Sequence, residues 1–405
     1  MSRREHQRGA RPVGRSPRVG ALLAVALASV LSAGCADGAR NASRSDTTDS
    51  LGVAIVRGPA ADTPLAWTFA EIGRIGGADT GVQSFDYVAP YSVATDGAAH
   101  IAVLEASHSN QIHVFDSSGT WIRTVGRRGG GPGEMQYPQG IDADRDGGLS
   151  ISDDAKQALL SWDRAGVLRP ERTLITARGR TWGTVRQRGD TLYVPLILKG
   201  DTLVDVRRLE RWTSRDTMVI DSTVSPQPKM VRFKCVGLAL PPLFSSEIAW
   251  TVDGDRVFST RQSAYVVDIS RNGRRERSVR RDVVPVAAKT TDAAKLYPEG
   301  LKIRFGSDGE CVTPSAEVGE KVGVAPTLPV IRAMAVAPDG TLWVERYTFE
   351  DETPRTDVFD RDGHYLGTAN GRSLPLGFLG PDVVLFPIKN HDDGTAVIGI
   401  YRITR

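Results

Sequence analysis

The residues whose spacing suggests chemistry most directly are Asp142-x-Asp144-x-Asp146-Gly147, with Asp153 at the twelfth place. Oxygen donors at alternate positions around a glycine turn are what a hard cation such as calcium requires. The twelfth place of such a loop usually carries a longer glutamate, and no helix pattern flanks this one. The pair Asp-Gly also recurs as Asp96-Gly97, Asp253-Gly254 and Asp339-Gly340. A tight hairpin turn explains that recurrence, because glycine reaches positive φ without strain. The turn is the preferred reading. No cofactor is expected, with calcium on Asp142, Asp144 and Asp146 as the alternative.

A second group is Glu105, Asp153 and Glu345, which hold the same acid place in three similar stretches. If they faced one channel, their pKa values would be pushed apart, as acid–base work requires. Their commoner role in such repeats is to accept hydrogen bonds from backbone N–H groups of a neighbouring turn. The glycine-rich VGRRGGGPGE at 125–134 lacks the Lys-Ser/Thr of a phosphate loop, and no helix follows it. It reads as a joining loop, with Arg127 and Arg128 as candidates to meet an acidic ligand. His6, His100, His108, His113, His364 and His391 form no HExxH and no tight ligand pair. His100 and His113 are candidates for cross-strand neighbours. No Gly-x-Ser-x-Gly occurs. No catalytic residue is assigned, and the balance leans away from an enzyme.

These residues sit in a repeated unit. Its register is Pro-x-Gly-Ile, an Asp-Gly turn, an alternating apolar run, an acid, an apolar pair, then Asp-x-x-Gly and a last strand. It runs from Pro138, from Pro90 and from Pro329. Alternations such as Ile101 and Val103, or Leu342 and Val344, give strands of period two. Val114-Phe115-Asp116, Ser161-Trp162-Asp163 and Val358-Phe359-Asp360 mark one place in the unit, where the ring should pack between neighbours. Weaker copies occupy 180–222 and 246–282. The last copy, 374–404, is one strand short, and Trp67 to Ile75 is strand-like. Pairing that strand with the last copy would close a ring and remove both open edges. The fold class is therefore all-β, a six-bladed β-propeller over 51–405 closed by its N-terminal strand. Insertions lie at about 223–244 and 286–328. Without them each blade takes about 46 residues, within the roughly 40–50 of known blade repeats.

The first 34 residues carry six arginines and one glutamate, +5 in a chain of net charge +3, so the remainder carries −2. That balance removes the electrostatic support for nucleic-acid binding. A basic stretch, an apolar run from Val19 to Leu31 and Leu31-Ser32-Ala33-Gly34-Cys35 make a targeting signal. The small residues before Cys35 resemble the lipobox of bacterial lipoproteins, with Ser32 where leucine is usual. That resemblance implies a signal peptide over 1–34, a lipid on Cys35, a flexible tether over 35–50 and a place in the cell envelope. The envelope location is the outer membrane, with the domain on its periplasmic or surface face. Cleavage near Ala33 that leaves a free Cys35 is the alternative. Cys235 and Cys311 fall in the two insertions that flank one blade. A disulfide between them is expected in an oxidising compartment, two independent thiols being the alternative.

The stretch Val125-Gly126-Arg127-Arg128-Gly129-Gly130-Gly131-Pro132-Gly133-Glu134 followed by Pro138-x-Gly140-Ile141 resembles NHL-repeat propellers, and more closely exported bacterial six-bladed propeller lipoproteins. The lead-in Ser50 to Val56 is similar to the start of those domains. NHL propellers include binding modules and some enzymes, so the resemblance implies fold better than activity. The expected function is a monomeric, membrane-anchored platform that binds a protein or small molecule and no nucleic acid. A channel-centred hydrolase or lyase of lactonase type, or a purely structural scaffold, are the alternatives.

Overall fold

The computed structural model describes residues 45–78, 80–85, 88–106, 109–174, 179–200, 204–305, 309–388 and 396–405. Cys35, His6, His108, His391 and residues 35–44 lie outside the described residues. Six sheets form a six-bladed β-propeller. Blades 1 to 5 span 93–125, 138–173, 180–226, 249–280 and 331–370, each an antiparallel sheet taken in chain order from inside to outside. Blade 6 takes Gly377–Phe378, Val383–Ile388 and Val397–Thr404, and its outermost strand is Thr68–Gly76 from the N-terminus. The ring is thus closed by the strand expected to close it.

The repeat's local chemistry accounts for the blades. Asp116 Oδ1 accepts from the Ser118 and Thr120 N–H groups at 2.8 and 2.9 Å, and Asp360 Oδ1 from those of Asp362 and His364 at 2.8 and 2.9 Å. Asp163 does the same for Val167 at 2.8 Å. Each aspartate thereby satisfies turn donors that no strand reaches. The glycine three residues on, Gly119, Gly166 or Gly363, sits at φ +86, +86 and +85°. The ring before each aspartate is buried. Trp162 packs with blade 1 residues Leu104 and Val114, Phe115 with blade 6 residues Leu385 and Ile400, and Phe359 with blade 4 residues Val267 and Val279. Six apolar seams run round the ring, one between each pair of blades. The seam between blades 3 and 4 is the thinnest, with Tyr193, Leu209, Val252 and Val257 buried in it. Polar contacts supplement it, such as Ser259 Oγ donating to Asp221 at 2.8 Å.

Two features extend the ring. The first is an N-terminal belt. β1 (Asp46–Ser50) and β2 (Val53–Arg57) form a hairpin, and β2 pairs in parallel with Arg274–Arg280 on the outside of blade 4. Asp46 to Ser50 is therefore strand, where the sequence read as tether. The chain next runs along blade 5, where Thr368 N–H donates to Thr63 O at 2.8 Å and Leu65 N–H to Thr368 O at 3.0 Å. Gly367 permits that approach, since a Cβ there would come within 2.7 Å of Leu65 Cα. Then β3 (Thr68–Gly76) joins blade 6, so the belt laces three blades together.

A buried cluster clasps the belt between blades 4 and 5. Arg281 Nε donates to Pro59 O at 2.8 Å, and its Nη2 to Ala61 O and Asp62 Oδ1, both at 3.0 Å. Asp357, with no exposed side-chain surface, accepts from Arg346 Nε at 2.9 Å, Tyr265 Oη at 2.6 Å and Thr368 Oγ1 at 2.6 Å. Arg281 Nη1 lies 2.9 Å from the same carboxylate. Burial pushes Asp62 up, but Arg346 and Arg281 outweigh it and hold the carboxyl below its usual value.

The second feature is a small module built from both insertions. The blade 3 strand Thr217–Pro226 takes up residues 223–226, so the first insertion begins later than the repeat suggests. The module holds hairpins Lys229–Arg232 with Gly237–Leu240 and Leu301–Phe305 with Gly309–Thr313, and the helix Ser315–Val322. Phe233, Phe244 and Val318 form its core, and Phe244 meets Phe349 of blade 5 edge-on at 5.9 Å. Cys235 and Cys311 are disulfide-bonded across it, with Cα atoms 6.2 Å apart. No helix among the described residues is long and apolar enough to cross a membrane.

Candidate binding site

The first strand of every blade faces the central channel, so both channel ends collect residues from several blades. One end is formed by the turns after those first strands. A cavity of about 340 Å³ there is lined by Asp96, Arg145, Arg188, Asp253 and Pro338, among others. Arg145 of blade 2 reaches past blade 3 to Asp253 of blade 4 at 2.8 Å and crosses the opening. Behind it, Asp142 is held by Arg188 at 2.7 Å, Arg186 at 3.1 Å and the Gln187 N–H at 2.9 Å.

This arrangement bears on the calcium alternative. Asp142 is spent on two guanidinium groups. Asp144 Oδ1 accepts from the Asp146 and Gly148 N–H groups at 3.0 and 2.9 Å. The alternating aspartates serve a turn and an ion pair, and no oxygen cage forms. Among the described residues no three His, Cys, Asp or Glu side chains converge in a way that could hold a metal. His100 and His113 are not cross-strand neighbours either. Asp116 stands opposite His100 and Val103 opposite His113. His100 Nδ1 lies 2.6 Å from Asp96 Oδ2, and His113 Nδ1 lies 2.9 Å from Thr124 Oγ1.

Glu105 and Asp153 end the second strands of blades 1 and 2, and Glu345 is the last but one residue of the second strand of blade 5. Glu105 accepts from Ser109 N–H at 2.7 Å. Asp153 accepts from Gln136 and Tyr137 N–H at 2.6 and 3.1 Å, and from Lys156 N–H at 3.0 Å. Glu345 accepts from the Leu374 N–H. Each is tied to its own loop. Arg127 is exposed and pairs with Glu134 at 2.6 Å, and Arg128 is exposed beside it on the joining loop.

The other channel end is where the first strands begin. Five blades contribute to an open basin of about 560 Å³. Tyr91 precedes the first strand of blade 1, Trp182 stands in blade 3, Trp250 begins blade 4 and Arg332 begins blade 5. Tyr91 is 49% and Trp182 37% exposed. Large aromatic rings left in water at one concave place are a common mark of a binding surface. Arg207 lies 4.9 Å over the Trp182 ring and Arg186 5.8 Å over the Trp250 ring, which fixes both indoles. Arg207 also pairs with Glu247 at 3.3 Å. Both insertions join the outer strand of one blade to the inner strand of the next, so the module stands on this same face. A further cavity of about 400 Å³ lies between module and blade 5, lined by Val286, Lys295, Tyr347 and Phe349 among others. Trp182 and Trp250 are not among the candidates that the sequence offers. The available signal was a tryptophan within the first five residues of two successive weak copies, 180–222 and 246–282.

Burial pushes the Glu345 carboxyl up, against Arg332 and the Leu374 N–H, and does the same to Glu247 against Arg207. Their folded-state pKa values lie above the unfolded ones. That contribution to stability is present at low pH and lost as pH rises through the folded pKa. Asp96 and Asp339 behave oppositely. Burial pushes them up, but backbone N–H donors, joined at Asp339 by Arg405, hold them below the ordinary value. Their contribution is present above the unfolded pKa of about 3.9 and lost as pH falls through the folded one. The thermal midpoint is therefore expected to drop below about pH 4. Glu345→Gln is expected to flatten the fall of the midpoint as pH rises above the unfolded glutamate value of about 4.3. Melting curves across the pH range check both, and a midpoint that climbs below pH 4 contradicts the first.

Fold and basin together define a six-bladed propeller with an open channel mouth. Residues 89–174 match the DUF5128 family, described as 6-bladed beta-propeller. No curated protein matches the chain. Among solved structures, the chain is similar to a member of the duf4221 family from Bacteroides vulgatus, at 9% identity and TM-score 0.46, over 85% of this chain and all of that one. It is also similar to a protein described as exported from Bacteroides fragilis, at 13% identity and TM-score 0.44, over 87% of this chain and all of that one. A third similar structure is the calcium-binding protein regucalcin from Agrobacterium tumefaciens, at 12% identity and TM-score 0.36, over 85% of this chain and 96% of that one.

Proposed function

We propose that the protein is an extracytoplasmic propeller, tethered through a lipid on Cys35, that binds a ligand at the channel mouth without transforming it. The observation that carries this reading is the basin where Tyr91, Trp182 and Trp250 converge from three blades. The opposite channel end is crossed by the Arg145–Asp253 ion pair. The acids that would serve a hydrolase are engaged by backbone N–H groups in three separate loops. Export is supported by the basic and apolar N-terminal run before Cys35 and by the Cys235–Cys311 disulfide. Two acyl chains would hold such a domain at a membrane where one would not.

Two measurements test this reading. Labelled palmitate should enter the protein made in a bacterial host and be absent from Cys35→Ser. The purified protein should show no turnover on lactones and esters with calcium or zinc supplied. Metal-dependent turnover lost in Glu345→Gln would replace the binding reading with the hydrolase one.

A further inference from the structure

The basin's walls narrow the chemistry of its occupant. This step rests on the reading of the channel mouth as a binding site. Tyr91, Trp182 and Trp250 supply aromatic surface from three blades, and two of these rings each carry a guanidinium group over them, that of Arg186 being itself part of the basin wall. An indole held in this way is a rigid platform that costs little entropy when a flat partner settles on it. Charge around the basin is matched locally. Arg186 faces Asp142, Arg207 faces Glu247, and Arg332 lies near Glu345 with its guanidinium 5.8 Å over the Tyr347 ring. A polyanion would meet Glu345 and Glu350 in the same basin as Arg186 and Arg332, with no surplus of positive charge to draw it in. A purely apolar ligand would leave those carboxylates and guanidinium groups dry, at a cost in desolvation. The chemistry that satisfies both wall types has one flat C–H face and a rim of hydroxyls.

We infer that the channel mouth binds a neutral saccharide, its ring faces stacked on Trp182, Trp250 and Tyr91 and its hydroxyls bridging the carboxylate and guanidinium groups between them. The open basin of about 560 Å³ lies within the range of ligand sites. Its breadth across five blades suits a short chain of sugar units.

The whole protein is applied to an array of neutral and acidic glycans. It is also titrated by tryptophan fluorescence with cellotriose, maltotriose, chitotriose and xylotriose. Indole-3-acetate and a tetrapeptide serve as the non-saccharide arms. Saturable binding of a neutral glycan is expected. Trp182→Ala and Trp250→Ala should each weaken it roughly tenfold or more, and Trp182→Phe should restore part of the loss. Trp121→Ala, an exposed ring on the outer strand of blade 1, should leave it unchanged. Unchanged melting midpoints exclude misfolding as the cause. Binding of indole-3-acetate or peptide that needs Trp182, with no glycan bound, overturns the saccharide while keeping the basin. If no probe binds in a way that Trp182→Ala abolishes, both the saccharide and the basin reading fall.

Discussion

Replacing Asp357 by alanine is expected to lower the unfolding free energy by about 3–5 kcal/mol. Asp357 is the shared acceptor of the clasp and carries the charge that compensates Arg281 and Arg346. Arg281 has no exposed side-chain surface and Arg346 has 10%. Without the carboxylate, two guanidinium groups stay buried with the partly exposed Asp62 as their shared countercharge. The hydroxyls of Tyr265 and Thr368 also lose their acceptor. Asp357→Asn keeps one carbonyl oxygen and removes the charge, so it should fall between wild type and alanine. Urea unfolding of the three proteins checks the order. Equal midpoints would mean that the cluster sets geometry without adding net stability.

The second large effect is expected from Cys235→Ser combined with Cys311→Ser. The bond joins residues 76 apart in sequence. Chain-entropy reasoning gives a closure of that length about 4 kcal/mol. The loss should fall on the module before it reaches the ring. The module has its own core around Phe233, Phe244 and Val318, and the blades have their separate seams. Calorimetry should show an early transition that wild type lacks. Limited proteolysis should cut within 227–246 and 284–329 while the blades stay whole. A single transition moved as a unit would show instead that module and ring unfold together.

What was legible in the sequence was local. Val-Phe-Asp-x-x-Gly announces a strand, a seam ring and a capped turn within six residues, and each part works through near neighbours. The closing strand was legible because the last copy lacked one and the chain start supplied one. The belt was not, because β2 pairs with Arg274–Arg280 more than 200 positions away and its pattern is no different from any short strand. The module was not, because its core draws on three stretches distant in sequence and uses helical and strand periods in turn. The aspartates of 142–146 left two readings open in the sequence for a physical reason. Alternate carboxylates that cap a turn and meet an arginine pair have the same spacing as those that ring a cation. The tryptophans of the mouth were hidden because they stand in the two blades whose repeat pattern is weakest.

The belt also determines how this molecule would carry load. Tension arriving from ahead of Ser45 meets the β1–β2 hairpin first, whose rungs open one at a time from Asp46 and Arg57. It next meets β2 against blade 4, and then the clasp at Arg281. Only beyond the clasp does it reach Thr68–Gly76, the strand that closes the ring. The outer pairs act as a fuse, so a tug on the chain start would be absorbed before the six blades come apart.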